Sequence, residues 1–108
     1  MKYQVINHQH IFESETEFAQ CHASPACRLP DGAMGAAWFA GAHEKAPDVA
    51  IWFSRRERGE WSKPAEVARG DGEPCWNPVL FAAEGRLLLF YKIGPDPERW
   101  RTMVKESA

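Results

Sequence analysis

The chain has 108 residues, 44% of them hydrophobic, and its 13 basic and 15 acidic residues give a formal net charge of −2. This length allows one modest globular domain, and the hydrophobic content argues against disorder. No block of basic residues is present, so no nucleic-acid partner is predicted. The chain also lacks a run of about 18 apolar residues, so no transmembrane helix is predicted. Three cysteines and no apolar leader of secretory length favour a reduced, cytoplasmic protein.

The first twenty residues are predicted to form an N-terminal strand and a connection. Apolar residues lie at both ends of the stretch 3–12, on either side of a polar middle. Such imperfect alternation favours a strand. The residues that follow, 14–20, are mostly polar and predict a connection to the next element.

The stretch 21–68 predicts four short strands joined by turns. The string Pro30-Asp31-Gly32 combines a residue that fixes φ with one that tolerates positive φ, which is typical of a tight turn. Pro64 fits a strand only at the edge of a sheet. Four strands joined in this way form one antiparallel sheet. The strands are expected over 22–29, 34–40, 48–54 and 61–67.

A weaker copy of this stretch begins near Cys75, after a linker at 69–74. Gly94 matches Gly41 at an offset of 94 − 41 = 53, and Val104 matches Ile51 at the same offset. The copy repeats the first three strands, over 75–81, 86–92 and 100–106, without a fourth. A period of about 40–50 residues with several strands per unit is typical of β-propeller blades. The sequence therefore predicts one blade over 21–68 and an incomplete blade over 75–108.

The strings CHASPACRLPDG, AAWFAGAHEKAPDVAIWFSRR and PCWNPVLF resemble the N-terminal blades of sialidase-like BNR-repeat glycoside hydrolases. The resemblance covers about 12–108. It implies an all-β fold with about two four-stranded antiparallel blades of a six-bladed propeller, the second incomplete. It also implies exo-acting hydrolysis of a terminal sugar without a cofactor. The family's repeated Ser-x-Asp-x-Gly-x-x-Trp turn is degenerate here, since Ser54 and Trp61 fit but Arg56 replaces the aspartate.

The loop after the second strand resembles the one that carries the acid/base group of the family. It holds His43, Glu44 and, further on, Asp48. We expect Glu44 to be the general acid, because a carboxyl group in an aromatic-lined cleft suits that role. His43 is able to do the same work near neutral pH. The alternative is a solvated surface loop without a catalytic part.

Three further residues are predicted to bind substrate. His22 lies nearest to the place of the family's carboxylate-binding arginine, and an imidazole lacks the bidentate fork of a guanidinium, which argues against sialic acid. Trp76 and Asn77 align with Ala23 and Ser24 of the first copy. They are predicted to be a stacking platform and a hydroxyl partner, or else Trp76 plugs the central channel.

The resemblance implies that the catalytic set is incomplete in this chain. In the family a tyrosine nucleophile, its glutamate partner and further arginines lie in later blades, so the isolated monomer is expected to be inactive. The alternative function is a non-catalytic module that binds carbohydrate or self-associates. No metal is predicted, because Cys21, His22 and Cys75 are too loosely spaced for a zinc site.

Two blades alone also predict self-association. They leave two apolar sheet faces open, one at each end, and the missing fourth strand leaves an unpaired edge. The N-terminal strand is a candidate to fill that edge, in its own copy or in a partner. A closed trimer of six blades and a strand-swapped dimer are the two expected homo-oligomers.

Overall fold

The computed structural model describes residues 2–13 and 17–107, and its fold is all-β, as predicted. A single 3-10 helix, Pro97–Arg99, is the only helical element of the described residues. No helix in this part of the chain is long and apolar enough to cross a membrane. The strands are β1 Gln20–His22, β2 Ala26–Arg28, β3 Met34–Gly41, β4 Ala50–Glu57, β5 Glu60–Trp61, β6 Ala65–Arg69, β7 Cys75–Ala83, β8 Arg86–Ile93 and β9 Arg101–Ser107.

The first sheet has the width of four antiparallel strands. β3 and β4 form its centre, β1 and β2 pair with the inner edge of β3, and β5 and β6 pair with the outer edge of β4. The inner and outer strands are each interrupted once, at 23–25 and 62–64. Each interruption contains a proline, Pro25 or Pro64, which cannot donate a backbone hydrogen bond to a neighbouring strand. This sheet is the predicted complete blade.

The second sheet has the order β7-β8-β9, and no fourth strand pairs with it among the described residues. Its β7–β8 hairpin turns at Glu84-Gly85, with φ angles of 53° and 76°, and the β4–β5 hairpin turns at Arg58-Gly59 with 53° and 82°. Two consecutive positive φ angles define a type I′ turn, which matches the twist of the flanking strands and favours glycine at the second position. One complete and one three-stranded blade make the partial β-propeller that the sequence predicts.

The hydrophobic core lies between the two sheets. Side chains on one face of β3 and β4 pack against one face of β7 and β8. Because strand side chains alternate between faces, the opposite face of the first sheet carries Trp38 and Trp52, which are paired across β3 and β4. The buried core includes Ala37, Phe39, Ile51, Leu80, Leu89, Tyr91 and Ile93.

The strand predicted over 3–12 is wrong, because residues 2–13 contain no strand. Two features explain this: the middle of the segment is polar, and β5 and β6 already occupy the outer edge of β4. The end of the segment covers the second face of the first sheet instead. The Phe12 ring lies 5.4 Å from that of Trp38, and the Phe18 ring lies 4.7 Å from that of Trp52. One of the two faces predicted to be open is therefore covered.

Gly94, directly after β8, has no room for a side chain. A Cβ atom there would lie 2.6 Å from the backbone oxygen of Arg99. Because a backbone atom moves less readily than a side-chain end, we expect Gly94→Ala to lower the free energy of unfolding by about 1–3 kcal/mol. Urea denaturation followed by circular dichroism measures this change. The control is Gly85→Asn, since Gly85 has open space and asparagine tolerates its positive φ. Equal losses in the two variants would contradict the steric account.

Candidate functional site

The predicted site residues lie at or near one end of the two sheets. β1 begins at Gln20, which pairs with Gly41 at the end of β3, so the loop 42–49 leaves from the same end. β7 also begins there, because the Cys75 N–H donates to the Val49 oxygen at 3.0 Å. The strand starts and the loop between them carry His22, His43, Glu44, Asp48, Trp76 and Asn77.

The inner strand of the first blade bulges near this end. His22 pairs with Phe39 and Ala26 pairs with Ala36, so three residues of the inner strand lie opposite two residues of β3. Ala23, the first residue of the bulge, has a φ of 48°. Bulges bend a strand and change the direction of its side chains, and they are frequent next to active sites.

The inner strand of the second blade, β7, bulges in the same way. Trp76 pairs with Lys92 and Val79 pairs with Phe90, so two residues of β7 lie opposite one residue of β8. The first residue of this bulge, Asn77, has a φ of 35°. Both blades thus have a residue with positive φ at the same point of the inner strand.

These bulges correct the predicted alignment of the two copies. The strand partners Phe39 and Lys92 keep the offset 92 − 39 = 53, but on the inner strand Trp76 takes the place of His22, at 76 − 22 = 54. Asn77 accordingly corresponds to Ala23, not to Ser24. Cys21 and Cys75 are 75 − 21 = 54 residues apart, one more than the offset of 53 between the copies, and they are structurally equivalent as well. The turn after the inner strand is one residue shorter in the second blade, with four residues between Ala82 and Leu87 against five between Arg28 and Met34, and this shifts the inner strand relative to the rest of the blade.

His22 lines a pocket of about 560 Å³ beside the first bulge. Its half-buried ring packs at 5.2 Å from the ring of Phe39. The Nε2 atom of His22 is buried and has no hydrogen-bond partner among the described residues. A pocket of this volume is in the range of small-molecule sites. The other lining residues are Gln9, His10, Ile11, Phe12, Phe18, Ala19, Cys21, Ala23, Ser24 and Trp38.

Trp76 lies in the core between the blades. It is 3% exposed, and its indole N–H donates to the Gly94 oxygen at 2.7 Å. Its ring lies 6.2 Å from that of Phe39 and 5.4 Å from that of Trp100. The rings of His22 and Trp76 both contact Phe39, so they lie less than about 15 Å apart, which is the span of four to five residues of extended chain. The two side chains are thus close enough to face one cleft. A sugar-stacking role of Trp76 stays a prediction, and in this structure the indole is a core side chain.

His43 and Glu44 are exposed on the loop 42–49, which Asp48 closes. Both carboxylate oxygens of Asp48 accept a hydrogen bond from the Ala42 N–H, at 3.2 Å each. The Glu44 N–H donates to the side-chain oxygen of Gln20 at 3.3 Å, which ties the loop to the start of β1. None of the three predicted catalytic residues lines the His22 pocket. Their catalytic roles stay predictions.

The N-terminal side of the pocket was not predicted from the sequence. Gln9 holds this segment against the β4–β5 hairpin, since its side-chain amide donates to the Gly59 oxygen at 3.0 Å and accepts from Arg56 Nε at 2.9 Å. The segment then places His10 and Phe12 along the pocket. One sequence signal marks this segment as unusual for a strand, namely the polar string His8-Gln9-His10 between its apolar ends.

The cysteines differ in burial and form no disulfide among the described residues. Burial raises the pKa of the Cys75 thiol and that of the Cys27 thiol, and Cys27 is the less buried of the two. Cys21 is exposed and lines the pocket. Within residues 2–13 and 17–107, no group of three or more His, Cys, Asp or Glu side chains is arranged to hold a metal ion.

Residues 32–108 match the family of the BNR repeat-like domain, and this region extends from the turn before β3 to the end of the chain. The chain belongs to this family. No curated protein and no solved structure gives a significant match. In this BNR repeat-like domain the matched region contains the second bulge and the loop 42–49, whereas the first bulge and all pocket residues except Trp38 precede it.

Proposed function

We propose that this BNR repeat-like domain forms the first two blades of a sialidase-like glycoside hydrolase and binds a terminal sugar in the His22 pocket. BNR repeats are found in sialidase-like proteins. The observation that carries the proposal is the pocket itself, which lies against the bulged inner strand at the end of the sheets that carries the loop 42–49. Inner strands surround the axis of a propeller, where ligands reach several blades at once.

The lining of the pocket suits a neutral sugar. Since Nε2 of His22 is buried, a sugar hydroxyl can bond at most the Nδ1 atom of this ring, whereas the Ser24 hydroxyl offers both a hydrogen-bond donor and an acceptor. The rings of Phe12 and Trp38 supply apolar surface of the kind on which a sugar ring packs. The described lining residues include neither arginine nor lysine, so a carboxylate-bearing sugar has no cationic partner there.

Hydrolysis requires groups that the two blades do not bring together. In the proposed complete propeller, Glu44 acts as the general acid, with His43 and Asp48 as further candidates on the same loop. The two tyrosines are poorly placed as nucleophiles: Tyr3 is 91% exposed on the N-terminal segment, and Tyr91 is buried in the core, where desolvation raises its pKa. The isolated chain therefore binds sugar without cleaving it.

A non-catalytic carbohydrate-binding module is the second candidate. Two observations on the loop 42–49 favour it. The Asp48 carboxylate accepts the Ala42 N–H and so closes the loop, and His43 and Glu44 do not line the pocket.

The proposal predicts that neutral methyl glycosides at millimolar concentration shift the NMR signals of the residues around the pocket. His22→Ala should weaken this binding at least about tenfold, as expected when a buried hydrogen-bonding group is lost. Lys63→Ala, an exposed change outside the pocket, is the control and should bind like the parent chain. If none of the glycosides shifts the pocket signals, or if His22→Ala binds like the parent, the binding site is wrong. Release of nitrophenol from aryl glycosides by the isolated chain would instead contradict the incomplete catalytic set.

A further inference from the structure

The outer edge of β9 has no strand paired with it among the described residues. The second sheet ends at β9, whereas the corresponding strand of the first sheet, β4, pairs with β5 and β6. All seven residues of β9 are exposed, with Met103 at 37% and Val104 at 57%. An unpaired strand edge exposes backbone donors and acceptors to which another strand can pair.

One face of the same sheet is also apolar and exposed. Val79, Phe90 and Val104 lie opposite one another across the three strands, so their side chains share a face. Phe81, Leu88 and Glu106 form the next row of that face, and the Glu106 carboxylate is paired with Arg86 at 3.2 Å. Val79 and Phe81 are 54% and 55% exposed. The other face of the sheet packs against the first blade, so this outer face is available to a partner.

The segment 2–9 has complementary properties. Tyr3, Val5 and Ile6 are 91%, 82% and 94% exposed, and the segment forms no strand. Gln9 fixes its end to the β4–β5 hairpin, at the outer edge of the first sheet. From there the chain covers the face of the first sheet that lies away from the second sheet, through the contact of Phe12 with Trp38. In a closed propeller, the blade next to the first sheet on its other side would pack against this face.

We propose that the segment 2–9 of one copy pairs with the outer edge of β9 in a second copy and becomes its fourth strand. In an extended segment Tyr3 and Val5 lie on one face and Ile6 on the other, so both the Val104 side and the Met103 side of the edge are covered. The interface goes beyond sugar binding, because apart from Gln9, at the end of the segment, it uses neither the residues that line the pocket nor the loop 42–49. Donor and acceptor are different surfaces, so copies join head to tail and the assembly closes as a ring or a reciprocal dimer.

Two full-length variants separate the two surfaces. Val5→Asp with Ile6→Asp blocks the donor segment, and Val104→Asp blocks the acceptor edge. In sedimentation velocity at micromolar concentration, the parent chain should form a concentration-dependent oligomer and each variant should be a monomer. An equimolar mixture of the two should form a one-to-one heterodimer, because each retains the surface that the other lacks. All three changed positions are exposed, so thermal melting of the variants should match that of the parent.

Ala65→Asp, an exposed substitution in β6, is the matched control and should associate like the parent. A parent chain that sediments as a monomer overturns the proposal. So does a variant that still associates, which would indicate packing through other faces. A mixture that contains only monomers also overturns it, because the two blocked surfaces would then not be partners.

Discussion

Trp76→Ala is expected to lower the free energy of unfolding by about 3–5 kcal/mol, the usual cost of removing a fully buried aromatic side chain. The indole fills the space between the two blades, in ring contact with Phe39 and Trp100, and its N–H satisfies the Gly94 oxygen. Because small domains are stable by only about 5–15 kcal/mol, such a loss removes a large share of the total stability. Urea denaturation followed by far-ultraviolet circular dichroism measures it.

Trp76→Phe serves as the matched variant. It keeps an aromatic ring in the core and removes the hydrogen bond to Gly94, so we expect a smaller loss of about 1–3 kcal/mol. A Trp76→Ala variant as stable as the parent would show that the indole is not part of the core, and it would favour the stacking role predicted from the sequence.

Phe12→Ala combined with Phe18→Ala is expected to cost about 3 kcal/mol in total, since each ring is only partly buried and a fully buried phenylalanine costs about 3–5 kcal/mol. These rings cover Trp38 and Trp52 on the face of the first sheet that lies away from the second. Their removal should also expose both indoles to water. A red shift of the tryptophan emission and a lower urea midpoint are therefore the expected results.

Tyr3→Ala combined with Ile6→Ala is the control for this experiment. Both side chains belong to the same segment but are more than 90% exposed, so the urea midpoint of a monomeric sample should stay close to that of the parent. Equal destabilisation by the two double variants would show that the segment contributes through its whole length and not through the two phenylalanine rings.

Local sequence signals predicted most of the strands. The apolar runs in β3, β4 and β8, and turns such as Glu84-Gly85, depend on nearest neighbours, so they are visible without the fold. Comparison of the elements of the two copies predicted that the second sheet has no fourth strand within the described residues. The strand predicted over 3–12 was wrong because a strand also needs an available edge in the sheet that it contacts. This segment is held against the first sheet, where β5 and β6 already pair with β4.

The candidate site was harder to predict, because it depends on register. Asn77 is a residue that tolerates positive φ, but Ala23 gives no such signal, so the equivalent bulges were hidden. A one-residue shift exchanges the faces of a strand. It was this shift that moved Trp76 from the place of Ala23 to that of His22. Similarly, no local pattern shows that Gln9 and His10 return to line a pocket beside the inner strand.

The packing of two successive blades through the rings of His22, Phe39 and Trp76 is the central claim, and nuclear Overhauser effects between aromatic protons test it most directly. With ring centroids 5.2 and 6.2 Å apart, Phe39 should show cross-peaks to both His22 and Trp76. The Trp76 indole N–H should also exchange slowly with solvent, because it donates to the Gly94 oxygen inside the core. Absence of the Phe39–Trp76 cross-peaks, together with a rapidly exchanging Trp76 indole N–H, would contradict the account.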